Sequence, residues 1–338
     1  MAHSHPIFRS TRLVCLLAAS QMALSAAVDA PKADAPKTEA PKADAPKADA
    51  PKVDAPKVDA PKVDAPKVDA PKAEAPRVVF QNGSSIPLTS LTLQGDRLVV
   101  KTADEAFSVG KMFPLATADH VYGDKPAALN QGVALLLMGN PKEAQKLLEP
   151  IVTEHRVTAK ISGNYWLEAA RAQLVVLAIN GDTAECTALG KEISDATPAQ
   201  GIDPFVTLGK ALLLPAETKV DDRLLALRDL TIDSQPPDVR AYASFYIGNL
   251  CKKEKRMAEA LEAYLTVSCV TPTGGMVLNA AAEIQAAEVI IALGRADEPK
   301  ELLNGRRDQA IILLNAAVRD APGTILVDEA HKRLESLK

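Results

Sequence analysis

Apolar residues recur at helical spacing along much of the chain, and nowhere more regularly than over residues 239–272. Val239, Ala243, Tyr246, Ile247 and Leu250 fall on one helical face, and Met257, Ala260, Leu261, Tyr264 and Val267 on another. The polar run KKEKR between them reads as a turn. Each stripe must be buried and the nearest apolar surface is its neighbour's, so the two helices are expected to fold back on each other. Gly248 and Ala260 are small enough to let the backbones approach. Pro272 is expected to stop the second helix, because it lacks an N–H and clashes with the preceding turn.

The same pattern returns elsewhere. In residues 127–152, Gly132 and Ala144 stand twelve apart, as Gly248 and Ala260 do. Residues 163–181 predict a helix ended by Asn180-Gly181, with Asp182 placed to cap a partner reaching about residue 194. Residues 203–232 read as a less regular pair divided at Pro215. Residues 278–303 read as a further pair, and residues 308–322 carry a second-helix pattern with Ala310, Leu314, Ala317 and Pro322. A polar-faced helix follows over residues 327–338. About six helix pairs result, and such pairs stack because none can bury both faces alone.

Ahead of this helical domain, residues 118–338, the chain changes character three times. Arg9 and Arg12 precede an apolar run over residues 13–24 and small residues at 25–27, the layout of a secretory signal peptide over residues 1–27. An uncleaved anchor is the alternative, but the run is short against the roughly 20 residues of a spanning helix. Cys15 has no small residues before it, which argues against a lipid-bearing cysteine. Residues 28–76 then hold nine copies of a pentapeptide, PKADA, PKVDA and close variants. Proline every fifth residue opposes helix and sheet, so a disordered spacer is expected. Residues 77–117 predict a small β-meander: β-formers cluster at 78–80, 86–93 and 97–101, separated by Asn82-Gly83 and Gly95-Asp96. Pro87 must then lie at an edge or a bulge. Such a piece serves as an N-terminal cap supported through residues 109–115, or as an edge for a partner.

The stretch 239–272 resembles a tetratricopeptide repeat, a helix pair of about 34 residues with small, aromatic and proline positions at fixed offsets. Ile247, Gly248, Ala260, Tyr264 and Pro272 fall on that pattern. Ser244, Cys251 and Val267 depart from it, and in the later pair Pro299 stands where the family places a packed alanine. The resemblance implies a mainly α fold, a right-handed α-α superhelix in which Gly132, Ala144, Gly248, Ala260, Tyr264 and Pro272 are packing positions. It also implies a concave groove lined by first helices, where Tyr242, Phe245, Asn249, Lys252 and Lys253 would meet a protein or peptide. Gly248-Asn249 is similar to the start of the carboxylate-clamping repeats, from which Phe245 departs where lysine is expected.

Charge and chemistry narrow the function. Residues 29–77 hold ten basic and ten acidic groups, and the remaining mature chain 27 against 33, so no nucleic-acid or anionic-lipid surface is expected. Beyond the signal peptide, His120, His155 and His331 are widely separated and read as surface or boundary residues. Cys186, Cys251 and Cys269 read as small buried hydrophobes; Cys251 and Cys269 lie a helix length apart, too far for a disulfide. No nucleophile elbow, P-loop, dinucleotide fingerprint or zinc helix occurs, and Gly274-Gly275 reads as a loop. No catalytic residue, metal or cofactor is therefore expected. The sequence points to an exported, periplasmic or otherwise envelope-associated scaffold that binds a protein or peptide. Its rivals are a tether in which the spacer is the working part, and an enzyme of unrecognised type.

Overall fold

The computed structural model describes residues 74–103, 106–198, 201–295 and 297–338. The signal peptide and spacer expected over residues 1–73 lie outside the described residues. The protein is mainly helical, with a small antiparallel sheet region ahead of the helices.

The sheet region is larger than the expected three-stranded meander. Its strands are β1 (Arg77–Phe80), β2 (Ser85–Pro87), β3 (Leu91–Gln94), β4 (Arg97–Val100), β5 (Met112–Pro114) and β6 (Ala118–Tyr122). They form two three-stranded antiparallel sheets, ordered β2-β1-β6 and β3-β4-β5. Pro87 explains the division: it ends the edge strand β2, and a 3-10 turn at Leu88–Ser90 carries the chain to the other sheet. Residues 86–93 are therefore not one strand. β6 extends strand structure past residue 117, where helix was expected, because β1 supplies it with a full antiparallel partner from Arg77↔Tyr122 to Phe80↔Ala118.

Val78, Phe80, Ile86, Leu88, Leu98 and Val100 fill the space between strands. Val157 and Ile161, just beyond the second helix, complete this core. Within residues 109–115 Val109 is 62% exposed, whereas Phe113 and Leu115 pack against this core, the Phe113 ring 4.6 Å from that of Phe80.

The helices are α1 (Ala127–Leu137), α2 (Pro141–His155), α3 (Trp166–Asn180), α4 (Thr183–Ala196), α5 (Pro204–Leu212), α6 (Val220–Arg228), α7 (Pro237–Lys253), α8 (Met257–Leu265), α9 (Met276–Ala292), α10 (Lys300–Asp320) and α11 (Ile325–Ser336). Three pairs share one turn. The N–H groups of Asn140, Asp182 and Arg256 donate to the carbonyls of Leu135, Leu177 and Cys251, each at 2.9 Å. The residue before each donor is left-handed: Gly139 at φ 79°, Gly181 at 82° and Lys255 at 61°. Asp182 occupies the cap position of α4, but its side chain makes no capping bond.

Lys255 is the one non-glycine residue with positive φ among the described residues. A Cβ there crowds the following carbonyl, which glycine avoids. Lys255→Gly is expected to stabilise the protein by about 1 kcal/mol. A rise in the urea midpoint at constant m-value would register it; a fall would mean that the lysine side chain contributes more than its backbone costs.

Two further expectations change. Residues 278–322 make one helix pair, not a pair followed by a second-helix remnant. Pro299 is the N-cap of α10, and the polar run after it contains no proline, so α10 continues for 21 residues. Five pairs and α11 result among the described residues. Pro272 does not end α8, which passes at Leu265 into a π-helical turn, Thr266–Val270; Pro272 opens the next 3-10 turn.

The first and last pairs meet. α9 packs on both α7 and α1, and α11 on both α9 and α1. The Ile325 N–H donates to Gln131 Oε1 at 3.0 Å across 194 residues. No described helix is long and apolar enough to cross a membrane.

Candidate functional site

Gly132 and Gly248 sit at close contacts between paired helices, and Pro272 is half-buried beyond α8. A Cβ on Gly248 would stand 2.6 Å from the Tyr264 ring, and one on Gly132 2.8 Å from the Leu148 side chain. Both contacts join residues sixteen apart. Ala144, Ala260 and Tyr264 are fully buried.

The groove residues are not brought together as a binding surface. Phe245 is completely buried and meets Tyr246 and Tyr264 edge to face. Tyr242 is 8% exposed and its ring lies against Phe205, centroids 5.3 Å apart. The Tyr264 hydroxyl donates to Asn249 Oδ1 at 2.7 Å. Lys252 Nζ donates to Gln285 at 2.9 Å and Glu288 at 2.5 Å. Only Lys253 is exposed. Three neighbours supply the cover: Tyr264 of α8 over Phe245, Phe205 of α5 over Tyr242, and Gln285 and Glu288 of α9 over Lys252. Burial acts to raise the Glu288 carboxyl, but Lys252 and Arg333 outweigh it and hold it below the usual carboxylate range.

Nor are the histidines and cysteines assembled into a centre. His155 is buried, contrary to the surface reading; its ring lies 6.0 Å from Tyr165, and burial depresses its basicity. His120 pairs with Asp119 at 2.8 Å, and His331 is exposed. The three cysteines among the described residues are free thiols; Cys186 and Cys251 are buried, and burial pushes both thiols up. Cys269 is only half-buried, because the π-helical turn carries it out of the α8 packing stripe. No group of three or more metal-ligating side chains occurs among the described residues.

Two clefts remain. The larger, about 980 Å³, lies between β3 and α2. Leu91, Thr92 and Leu93 line one side, Lys146, Glu149 and Pro150 the other, with Lys101 and Arg156 also in the wall. β3 is an edge strand. Its turn, Gly95-Asp96, closes on the Gln94↔Arg97 pair, so the hydrogen-bonded positions alternate through Gln94, Thr92 and Ser90. The last is seen in the Lys101 N–H donating to the Ser90 carbonyl at 2.8 Å. Leu93, between them, turns its N–H and C=O outward, and its side chain is exposed. Across the cleft, Pro150 stands inside α2 and cannot donate to the Lys146 carbonyl.

The smaller cleft, about 230 Å³, lies where α1, α3, α7 and α9 converge and includes Lys125, Glu168, Tyr242, Met276 and Asp320. Tyr242 is the one groove residue that reaches it. An edge strand was readable from the β-rich stretch, and Pro150 is a visible anomaly in a helical pattern; their facing each other has no sequence signature. Comparison of the chain with protein-family models, with curated proteins and with solved structures returns no match.

Proposed function

We propose that the protein is an exported, non-enzymatic scaffold of the cell envelope, and that it captures a protein or peptide partner as an extended strand beside β3. One observation carries this: an unpaired sheet edge at Leu93 lines a cleft of about 980 Å³ whose other side is the α2 turn around Pro150. An added strand would pair with the edge through its main chain, while its alternate side chains meet Leu91 below and the mixed charges of Lys101, Lys146, Glu149 and Arg156 at the rim. The repeated turn and the glycine contacts sixteen residues apart support reading the helices as a divergent tetratricopeptide-like right-handed superhelix. In this reading its inner side is filled by its own helices, and the partner site lies on the β-region flank.

The test is peptide-library display against the immobilised full chain, followed by amide exchange on the selected complexes. Bound peptide should slow exchange at Leu93, and Leu93→Pro, which removes the donor, should abolish binding. Deleting residues 31–75 should leave it intact. Selection of nothing, or protection elsewhere, would sink the reading; loss of binding on the deletion would favour the tether.

A further inference from the structure

The smaller cleft carries a separate argument. It opens at the start of α9, a helix of 17 residues with no capping side chain and no acidic residue in its first turn. The amides of Met276, Val277 and Leu278 have no acceptor within the helix, and the helix dipole adds partial positive charge there. The glycine pair before them has a division of labour. A Cβ on Gly274 would fall 2.4 Å from the Ala241 Cβ, so Gly274 seats the loop on α7. Gly275, at φ 116°, has nothing within 4 Å of its missing Cβ, which leaves the backbone beside the amides uncovered.

Tyr242 points independently to a ligand. It is more than nine-tenths buried, it lines this cleft, and its hydroxyl has no hydrogen-bond partner. Burial holds that hydroxyl well above the usual phenol range, and the carboxylates of Glu168 and then Asp238 push it the same way, so it stays a neutral donor. The side chain is held rigidly by its burial while the hydroxyl opens to the cleft, placed to donate to a ligand there.

The remaining wall has the opposite character. Glu168 and Asp320 bring two carboxylates; Lys125 lies 2.5 Å from Glu168, and Arg319 lies 2.7 Å from Asp320. The cleft therefore offers amide and hydroxyl donors together with carboxylate acceptors. A volume of about 230 Å³ holds roughly eight waters at about 30 Å³ each, the size of one amino acid.

We propose that this cleft binds a free α-amino acid, its carboxylate on the first amides of α9 and the Tyr242 hydroxyl, its ammonium toward Glu168 and Asp320. The site is independent of the β3 cleft.

The test is calorimetric titration of the full-length protein with the twenty common L-amino acids, then with the methyl ester and the N-acetyl form of each binder. At least one amino acid should saturate the protein, and each blocked form should bind at least tenfold more weakly, because each removes one charged end. Tyr242→Phe, which retains the ring against Phe205, should weaken binding about tenfold or more. Equal binding of a blocked form, an unchanged affinity in Tyr242→Phe, or no binding across the panel at millimolar concentration would overturn the assignment.

Discussion

Replacing Arg171 by methionine is expected to destabilise the protein by about 3–5 kcal/mol, the range for removing one partner of a buried ion pair. Asp203, just before α5, is fully buried. Its Oδ1 accepts the Phe205 N–H at 3.0 Å, capping that helix, and its Oδ2 receives Arg171 Nη2 at 2.6 Å. The same guanidinium reaches Asp238, in the first turn of α7, at 3.3 Å and lies 4.9 Å from the centre of the Phe205 ring. Arg171, on α3, therefore ties down the starts of two later helices. Methionine keeps much of the stem's packing but leaves the Asp203 charge buried without its counter-ion. Urea unfolding should show a large fall in midpoint with unchanged m-value, and Asp203→Asn in the same chain should recover part of it by removing the charge while retaining a cap. An unaltered midpoint in Arg171→Met would mean that Asp203 finds another counter-charge.

The second large effect concerns Gly248. Alanine in a helix interior ordinarily improves on glycine by about 1 kcal/mol. Here the new Cβ would meet three carbons of the Tyr264 ring between 2.6 and 2.9 Å. That ring is fully buried, abutted by Phe245 and tethered through its hydroxyl to Asn249, so it has little room to retreat. Gly248→Ala is expected to cost about 1–3 kcal/mol by overpacking. With Tyr264→Ala already present the clash disappears, and the same substitution should become stabilising by up to about 1 kcal/mol. This reversal of sign, read as a double-mutant cycle by chemical denaturation, separates a steric effect from a loss of backbone freedom. Additive effects would remove the ring contact as the reason for glycine.

The helices were legible because a 3.6-residue apolar period is a local signal, and so was the recurrence of a helix pair, once Gly132–Ala144 and Gly248–Ala260 were set side by side. Misread positions depended on residues far away. Whether Tyr242 and Phe245 line a groove is decided by Phe205, more than thirty residues upstream, and by Tyr264 on the next helix, and nothing in residues 239–253 announces that cover. The strand pairing of residues 118–122 is decided by β1, some forty residues upstream. His155 illustrates the same limit: it ends an amphipathic helix, where solvent is the usual neighbour, and is buried because the chain beyond it, through Val157 and Ile161, turns into the β-region core. Lys255 was hidden differently, because a lysine does not advertise a left-handed turn as Gly139 and Gly181 do.

The bond between Gln131 and Ile325 has a consequence for the protein's history. An open stack of repeats tolerates duplication or loss of a unit, because each unit answers only to its neighbours. Here, inserting or removing one pair between α1 and α9 would pull apart surfaces that now touch at both ends of the array. The number of helix pairs is thereby fixed, and change is left to proceed by substitution within pairs.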